Sequence, residues 1–173
     1  MEENKNVDIQ QETQNLEQAP NQEELNLTIE QLRLEQNLPF AIMAGLGAAI
    51  VMAILWAVIT VVTNYQIGYM AIAVGLAVGV AVRFAGKGID KIYAIIGAVG
   101  AVLGCVLGNF LSQVGFISQD PEVTLSYFGV LKLFLSNMDV IVEVMQETFS
   151  PIDLLFYGIA IYEGYRFSFR KFE

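Results

Sequence analysis

Glu163 has the most unusual chemical setting in this sequence. It directly follows the apolar run Leu154–Tyr162 and belongs to a segment long enough to cross a membrane. An ionisable side chain at membrane depth is costly, so a partner is expected. Arg166, three residues later on the same helical face, and Arg83, at the end of another apolar segment, are the two candidates. The three residues predict either an ion pair that locks two helices together or a proton- or ion-coupled site.

Most other catalytic chemistry is excluded by composition. The chain has no histidine and one cysteine, Cys105, which excludes Ser-His and Cys-His pairs, the usual zinc sites and an internal disulfide. Residues 86–88 read Gly-Lys-Gly but lack the spacing of a phosphate-binding loop. Asp90 lacks the G-x-G-D order of membrane aspartyl proteases. We therefore expect no enzyme, no catalytic residue, no metal and no cofactor.

The elements that must position these residues are long and apolar. The chain has 173 residues, of which 55% are hydrophobic and 16% charged. Residues 38–62 carry no charge, and a run of roughly 24 residues is enough for a helix to cross a hydrocarbon core of about 30 Å. We predict an all-α fold, an integral membrane four-helix bundle, with spans at about 39–62, 67–84, 92–117 and 151–168.

Glycines at a spacing of four residues mark two of these spans. Such a spacing places small residues on one helical face, where two backbones can approach closely. Helix packing is the simpler interpretation, and a glycine zipper that lines an oligomeric pore is the alternative. The residues concerned are Gly75, Gly79, Gly100, Gly104 and Gly108.

Two segments lie outside the predicted spans. Residues 1–37 form an acidic, glutamine-rich tail, for which we predict disorder over 1–22 and a short helix from Glu23. Residues 122–149 predict an additional amphipathic helix that lies on the membrane surface, packs over the bundle or spans it. Its polar stripe consists of Glu122, Lys132, Asp139, Glu143 and Glu147.

The positive charges predict the topology. Residues 83–91 carry three cations in a short connection, and positively charged loops stay in the cytoplasm. Four spans place both termini and this loop inside, together with eight of the nine Lys and Arg residues. Only Lys132 then lies outside, so the helix over 122–149 is expected at the extracytoplasmic face.

Several stretches of the sequence resemble a group of small multi-pass bacterial membrane proteins without an assigned activity. The likeness covers residues 38–170 and is carried by the segments 54–63, 65–72, 78–88, 104–109 and 153–165. Some of these proteins carry a zinc ribbon before the membrane domain, whereas this chain has an acidic tail without metal ligands. The resemblance implies the bacterial cytoplasmic (inner) membrane and assigns no catalytic residue.

These patterns predict a non-enzymatic membrane protein that acts as an accessory or scaffold subunit. An oligomeric channel, or a proton- or ion-coupled transporter that uses Glu163 and Arg83, is the alternative. We expect the lipid bilayer, and either other membrane proteins or further copies of the chain, as partners. We expect no nucleic-acid partner.

Overall fold

The computed structural model describes residues 22–65 and 68–170, and every regular element within them is an α-helix. The predicted all-α class is therefore confirmed for this part of the chain. The chain divides into two compact units, residues 1–35 and residues 36–173. The described helices are α1 Gln22–Leu34, α2 Leu38–Thr63, α3 Met70–Gly86, α4 Lys91–Gln119, α5 Tyr127–Ser136, α6 Met138–Thr148 and α7 Pro151–Phe167.

Helix α1 is the one described helix of the first unit. Glu23 and Glu24 lie in its first turn and Arg33 in its last, an arrangement that complements the helix dipole. None of its residues is buried. The helix matches the one predicted from Glu23, whereas the disorder predicted for residues 1–22 falls, apart from Gln22, outside the described residues.

Four helices of the second unit, α2, α3, α4 and α7, pack side by side. Helices α3 and α4 each pack against the other three, so they form the centre of the bundle. Helices α2 and α7 flank this central pair. Each of the four lies over one of the predicted apolar segments.

Small residues bring α7 unusually close to the central pair. A Cβ atom added to Gly75 of α3 would lie 2.8 Å from the Cα atom of Ala160 in α7. A Cβ atom added to Gly164 of α7 would lie 2.6 Å from the carbonyl oxygen of Gly97 in α4. The backbones are therefore in direct contact, which only residues with little or no side chain permit.

The connections gather at one end of the bundle, which we call the basic end. The Asn37 N–H, just before α2, donates to the Gly86 carbonyl (2.9 Å), and the Arg170 N–H, after α7, donates to the Gly88 carbonyl (3.0 Å). The start of α2, the α3–α4 connection and the end of α7 therefore lie together. We call the opposite end of the bundle the distal end.

Residues 122–149 differ from the single predicted helix, because the chain breaks at Asn137 into α5 and α6. The Asn137 side-chain amide donates to the Leu133 carbonyl (2.9 Å), and its backbone N–H donates to the Phe134 carbonyl (3.0 Å). Asparagine side chains compete in this way with regular helical hydrogen bonds. The break lets α6 fold back beside α5.

The α5–α6 hairpin packs over the distal half of α4. Val114 of α4 is buried against Val130 and Phe134 of α5. The Tyr127 hydroxyl donates to the Leu111 carbonyl (3.4 Å), and burial raises the pKa of Tyr127, which keeps this hydroxyl a neutral donor. The predicted polar stripe is exposed at all five positions, namely Glu122, Lys132, Asp139, Glu143 and Glu147.

We expect Gly75→Leu to lower the melting temperature of the purified protein. The added side chain meets the α7 backbone at Ala160, and overpacking of this kind costs about 1–3 kcal/mol. A loss in that range corresponds to a fall of roughly 5 °C for a chain of this size.

Gly158→Leu in α7 is the matched control. An added Cβ atom at Gly158 has nothing within 4 Å, so this substitution is expected to leave the melting temperature unchanged or slightly higher. Equal falls in the two variants would contradict the close contact between α3 and α7.

Candidate functional site

The most extensive feature of the bundle is its apolar outer surface. The residues of α2 that face the bundle are mostly small, and most of its large apolar side chains, Trp56 excepted, are exposed on the outer surface. Helices α2 and α4 are the two described helices that are long and apolar enough to cross a membrane by length and composition. Helix α3 is apolar but shorter, with 17 residues, and α7 has the same length but carries Asp153, Glu163 and Arg166.

The five glycines singled out from the sequence are all buried, and they lie at three different helix contacts. Gly75 and Gly79 of α3 face the backbone of α7. Gly100 and Gly104 of α4 face valine side chains of α3, and Gly108 faces the Trp56 ring of α2. The glycines therefore contact neighbouring helices of the same chain.

The three predicted charged residues lie toward the basic end. A Cβ atom added to Gly79 would lie 3.2 Å from the Glu163 carbonyl oxygen, and Arg83 follows one helical turn after Gly79. Glu163 is half-buried, whereas Arg83 is exposed. The Arg166 guanidinium donates to the Tyr162 hydroxyl (3.3 Å) and lies 5.8 Å from the centroid of that ring. The pairing of Glu163 with either arginine stays a prediction.

A layer of buried polar side chains crosses the distal half of the bundle. The Asn109 amide donates to the Tyr157 hydroxyl (3.4 Å), which donates to the Cys105 carbonyl (3.4 Å). The Ser112 hydroxyl donates to the Gly108 carbonyl (2.8 Å). The two bonds of Tyr157 join α4 to α7, and hydrogen bonds between helices add to their packing in lipid, whereas the Ser112 bond lies within α4. This layer was not predicted, although polar residues that interrupt apolar runs in the sequence were the available signal.

Two buried donors of α2 lie without a hydrogen-bond partner. They are the Trp56 indole nitrogen and the Thr60 hydroxyl, one helical turn apart. Trp56 is 2% exposed and Thr60 is fully buried. A buried polar group without a partner costs about 1–3 kcal/mol.

Within the described residues, no group of three or more His, Cys, Asp or Glu side chains could hold a metal ion. No protein-family model, curated protein or solved structure matches this chain. The proposed function therefore rests on the chain's own residues and their geometry, whereas the proposed bacterial location rests on the sequence resemblance alone.

Thr60→Val is expected to raise the melting temperature. Valine has nearly the shape of threonine, and the substitution removes a buried hydroxyl that has no partner, worth about 1 kcal/mol. Thr63→Val is the control on the same helix, since the exposed Thr63 hydroxyl donates to the Ile59 carbonyl (2.7 Å). If Thr60→Val lowers the melting temperature by more than Thr63→Val changes it, the Thr60 hydroxyl has a hydrogen-bond partner and the prediction is wrong.

Proposed function

We propose that this chain is a non-enzymatic integral membrane protein whose spans are α2, α3, α4 and α7, and that it serves as an accessory or scaffold subunit. The observation that supports this is the reversed placement of side chains by size. The buried residues of α2 are Ala41, Gly45, Ala49, Ala53, Trp56, Ala57 and Thr60. Its exposed large apolar residues are Leu38, Phe40, Ile42, Met43, Leu46, Ile50, Val51, Ile54, Leu55, Val58 and Val62.

This placement favours lipid over water as the solvent. In water, a continuous apolar surface larger than a few hundred Å² marks an interaction surface or causes aggregation. In lipid, large side chains face the acyl chains and small ones allow the helices to approach. The core helix of a water-soluble protein is mostly buried, but only 28% of the apolar stretch of α2 and 44% of that of α4 are buried.

The positive charges support a cytoplasmic location for the basic end. Five cations lie on the connection and helix ends that meet there, whereas Lys132 lies on the distal hairpin. Cytoplasmic loops are enriched in Lys and Arg. Helices α3 and α7 are each roughly 25 Å long, at the lower limit for a span, and small adjustments of the bilayer accommodate such lengths. The five cations are Arg83, Lys87, Lys91, Arg166 and Arg170.

A scaffold role is supported by the filled interior and by the acidic tail. The core of the bundle consists mostly of alanine and valine side chains, together with Trp56, Tyr93 and Cys105, which favours a packed body over an aqueous path through one chain. In the proposed topology the tail, with a net charge of −7 over residues 1–38, faces the cytoplasm, where it offers a surface for a basic partner. The resemblance noted above favours the bacterial inner membrane.

Cysteine labelling tests the proposed topology. The only native cysteine, Cys105, is fully buried, so the wild-type chain is expected to stay unlabelled. We expect a membrane-impermeant maleimide to label Lys132→Cys in intact cells and Lys91→Cys only after the membrane is opened. Both lysines are exposed, which makes the two variants a matched pair. Labelling of Lys91→Cys in intact cells, or release of the chain by alkaline carbonate, would overturn the proposal.

Reconstitution separates the scaffold from the channel or transporter alternative. Proteoliposomes that contain the chain are expected to lose a proton or potassium gradient no faster than protein-free liposomes. A faster loss that Glu163→Gln abolishes, while Glu147→Gln on the exposed hairpin leaves it unchanged, would favour the alternative.

A further inference from the structure

The distal end of the bundle contains a cavity of about 300 Å³ that the proposed function does not use. It lies between the start of α3, the end of α6 and the first turns of α7. Its lining combines aromatic rings, hydroxyl groups and one carboxylate, chiefly those of Tyr65, Tyr69, Thr148, Ser150, Asp153 and Phe156. Cavities of this size are at the small end of those that bind ligands.

Asp153 gives the cavity its charge. Its side chain is only 8% exposed, and its Oδ2 atom accepts a hydrogen bond from the Ser150 N–H (2.8 Å). Among the described residues no Lys or Arg pairs with this carboxylate, and Lys132 is the only cation on the distal hairpin. A buried carboxylate without a positive partner is costly, and the α7 dipole offsets that cost only in part. The site therefore favours a cation.

Aromatic rings surround the same space. The ring centroids of Tyr69 and Phe156 lie 5.5 Å apart at an interplanar angle of 72°. The Phe156 ring occupies the position that a side chain at residue 68 would need, so the glycine there opens room for it. Tyr65 and Tyr69 are each 71% exposed and leave the cavity open at its mouth. Faces of aromatic rings attract organic cations, and aromatic cages bind quaternary ammonium groups.

We propose that this cavity binds a small organic ammonium ion. The Asp153 carboxylate pairs with its charge, and the rings of Tyr65, Tyr69 and Phe156 contact its alkyl groups. The Thr148 hydroxyl lines the cavity and donates to the Val144 carbonyl (2.7 Å), so its oxygen can accept a hydrogen bond from the N–H group of a primary ammonium ligand. The ammonium group belongs either to a soluble amine or to a lipid headgroup, and only the headgroup source rests on the proposed membrane location.

The competing explanation is that Asp153 acts only as a helix cap. A cap needs an oxygen acceptor for the Ser150 N–H, which asparagine also provides, whereas binding of a cation needs the negative charge. Asp153→Asn therefore separates the two roles, because it keeps the cap and removes the charge.

The soluble arm of the test uses tetramethylammonium chloride and the protein in maltoside micelles. We expect a concentration-dependent rise of the melting temperature beyond that caused by equal concentrations of sodium chloride. Asp153→Asn is expected to weaken the apparent affinity by at least about tenfold. Phe156→Leu is expected to weaken it several-fold, and Tyr162→Leu, on an exposed tyrosine of the same helix, is expected to leave it unchanged.

The lipid arm compares nanodiscs of phosphatidylcholine with nanodiscs of phosphatidylglycerol. In one outcome, phosphatidylcholine stabilises the wild type but not Asp153→Asn, and the soluble ion has no effect. This outcome assigns the site to a lipid headgroup. No stabilisation by either probe, or equal stabilisation of the wild type and Asp153→Asn, overturns the proposal. If Asp153→Asn fails to fold, Phe156→Leu becomes the deciding variant. An unchanged rise of the melting temperature with the probe in Phe156→Leu also overturns the proposal. The soluble arm is independent of the labelling experiment, so the two proposals fail separately.

Discussion

The close approach of α7 to α3 and α4 is the constraint on which the rest of the molecule depends. At Gly75 and Ala160, and again at Gly97 and Gly164, one helical backbone lies directly on another. Dispersion contacts and weak Cα–H···O bonds at such a distance hold helices together even where apolar burial gives no advantage. Because backbone and small side chains fill most of the interior, most of the large apolar side chains of α2, Trp56 excepted, lie on the outer surface.

The two ends of the bundle differ in chemistry because the segments that connect the helices differ in length. At the basic end, short connections and backbone hydrogen bonds bring three chain segments together, and the cations accumulate there. At the distal end, the longer segment between α4 and α7 folds into the α5–α6 hairpin and leaves a cavity beside Asp153. The basic end therefore presents cations, whereas the distal end presents a cavity lined by aromatic and polar side chains.

Local patterns in the sequence predicted the helices well. The expected pairing of Arg83 with Glu163 would join α3 to α7, which do pack together, but the packing of α4 against all three other helices was not predicted. The charge-free run over 38–62 and the glycine spacing in α3 and α4 define elements and faces, because both depend only on residues of one segment. The break at Asn137 depends on the hydrogen bonds that its side chain makes with backbone carbonyl groups. The positions of polar residues on a helical wheel do not reveal such a break. The buried layer around Asn109 requires the register of α2, α4 and α7 against one another, which one sequence does not contain. The lengths of α3 and α7 were predicted closely, since spans of 18 residues were expected at 67–84 and 151–168 and the structure gives 17 residues to each.

The burial of Trp56 against Gly108 has a spectroscopic consequence. Trp56 is the only tryptophan in the chain, and its indole ring lies in the seam between α2 and α4. Intrinsic fluorescence excited at the indole band therefore originates from a single internal position. Its emission colour and its protection from water-soluble quenchers report on the separation of these two helices, without the attachment of any dye.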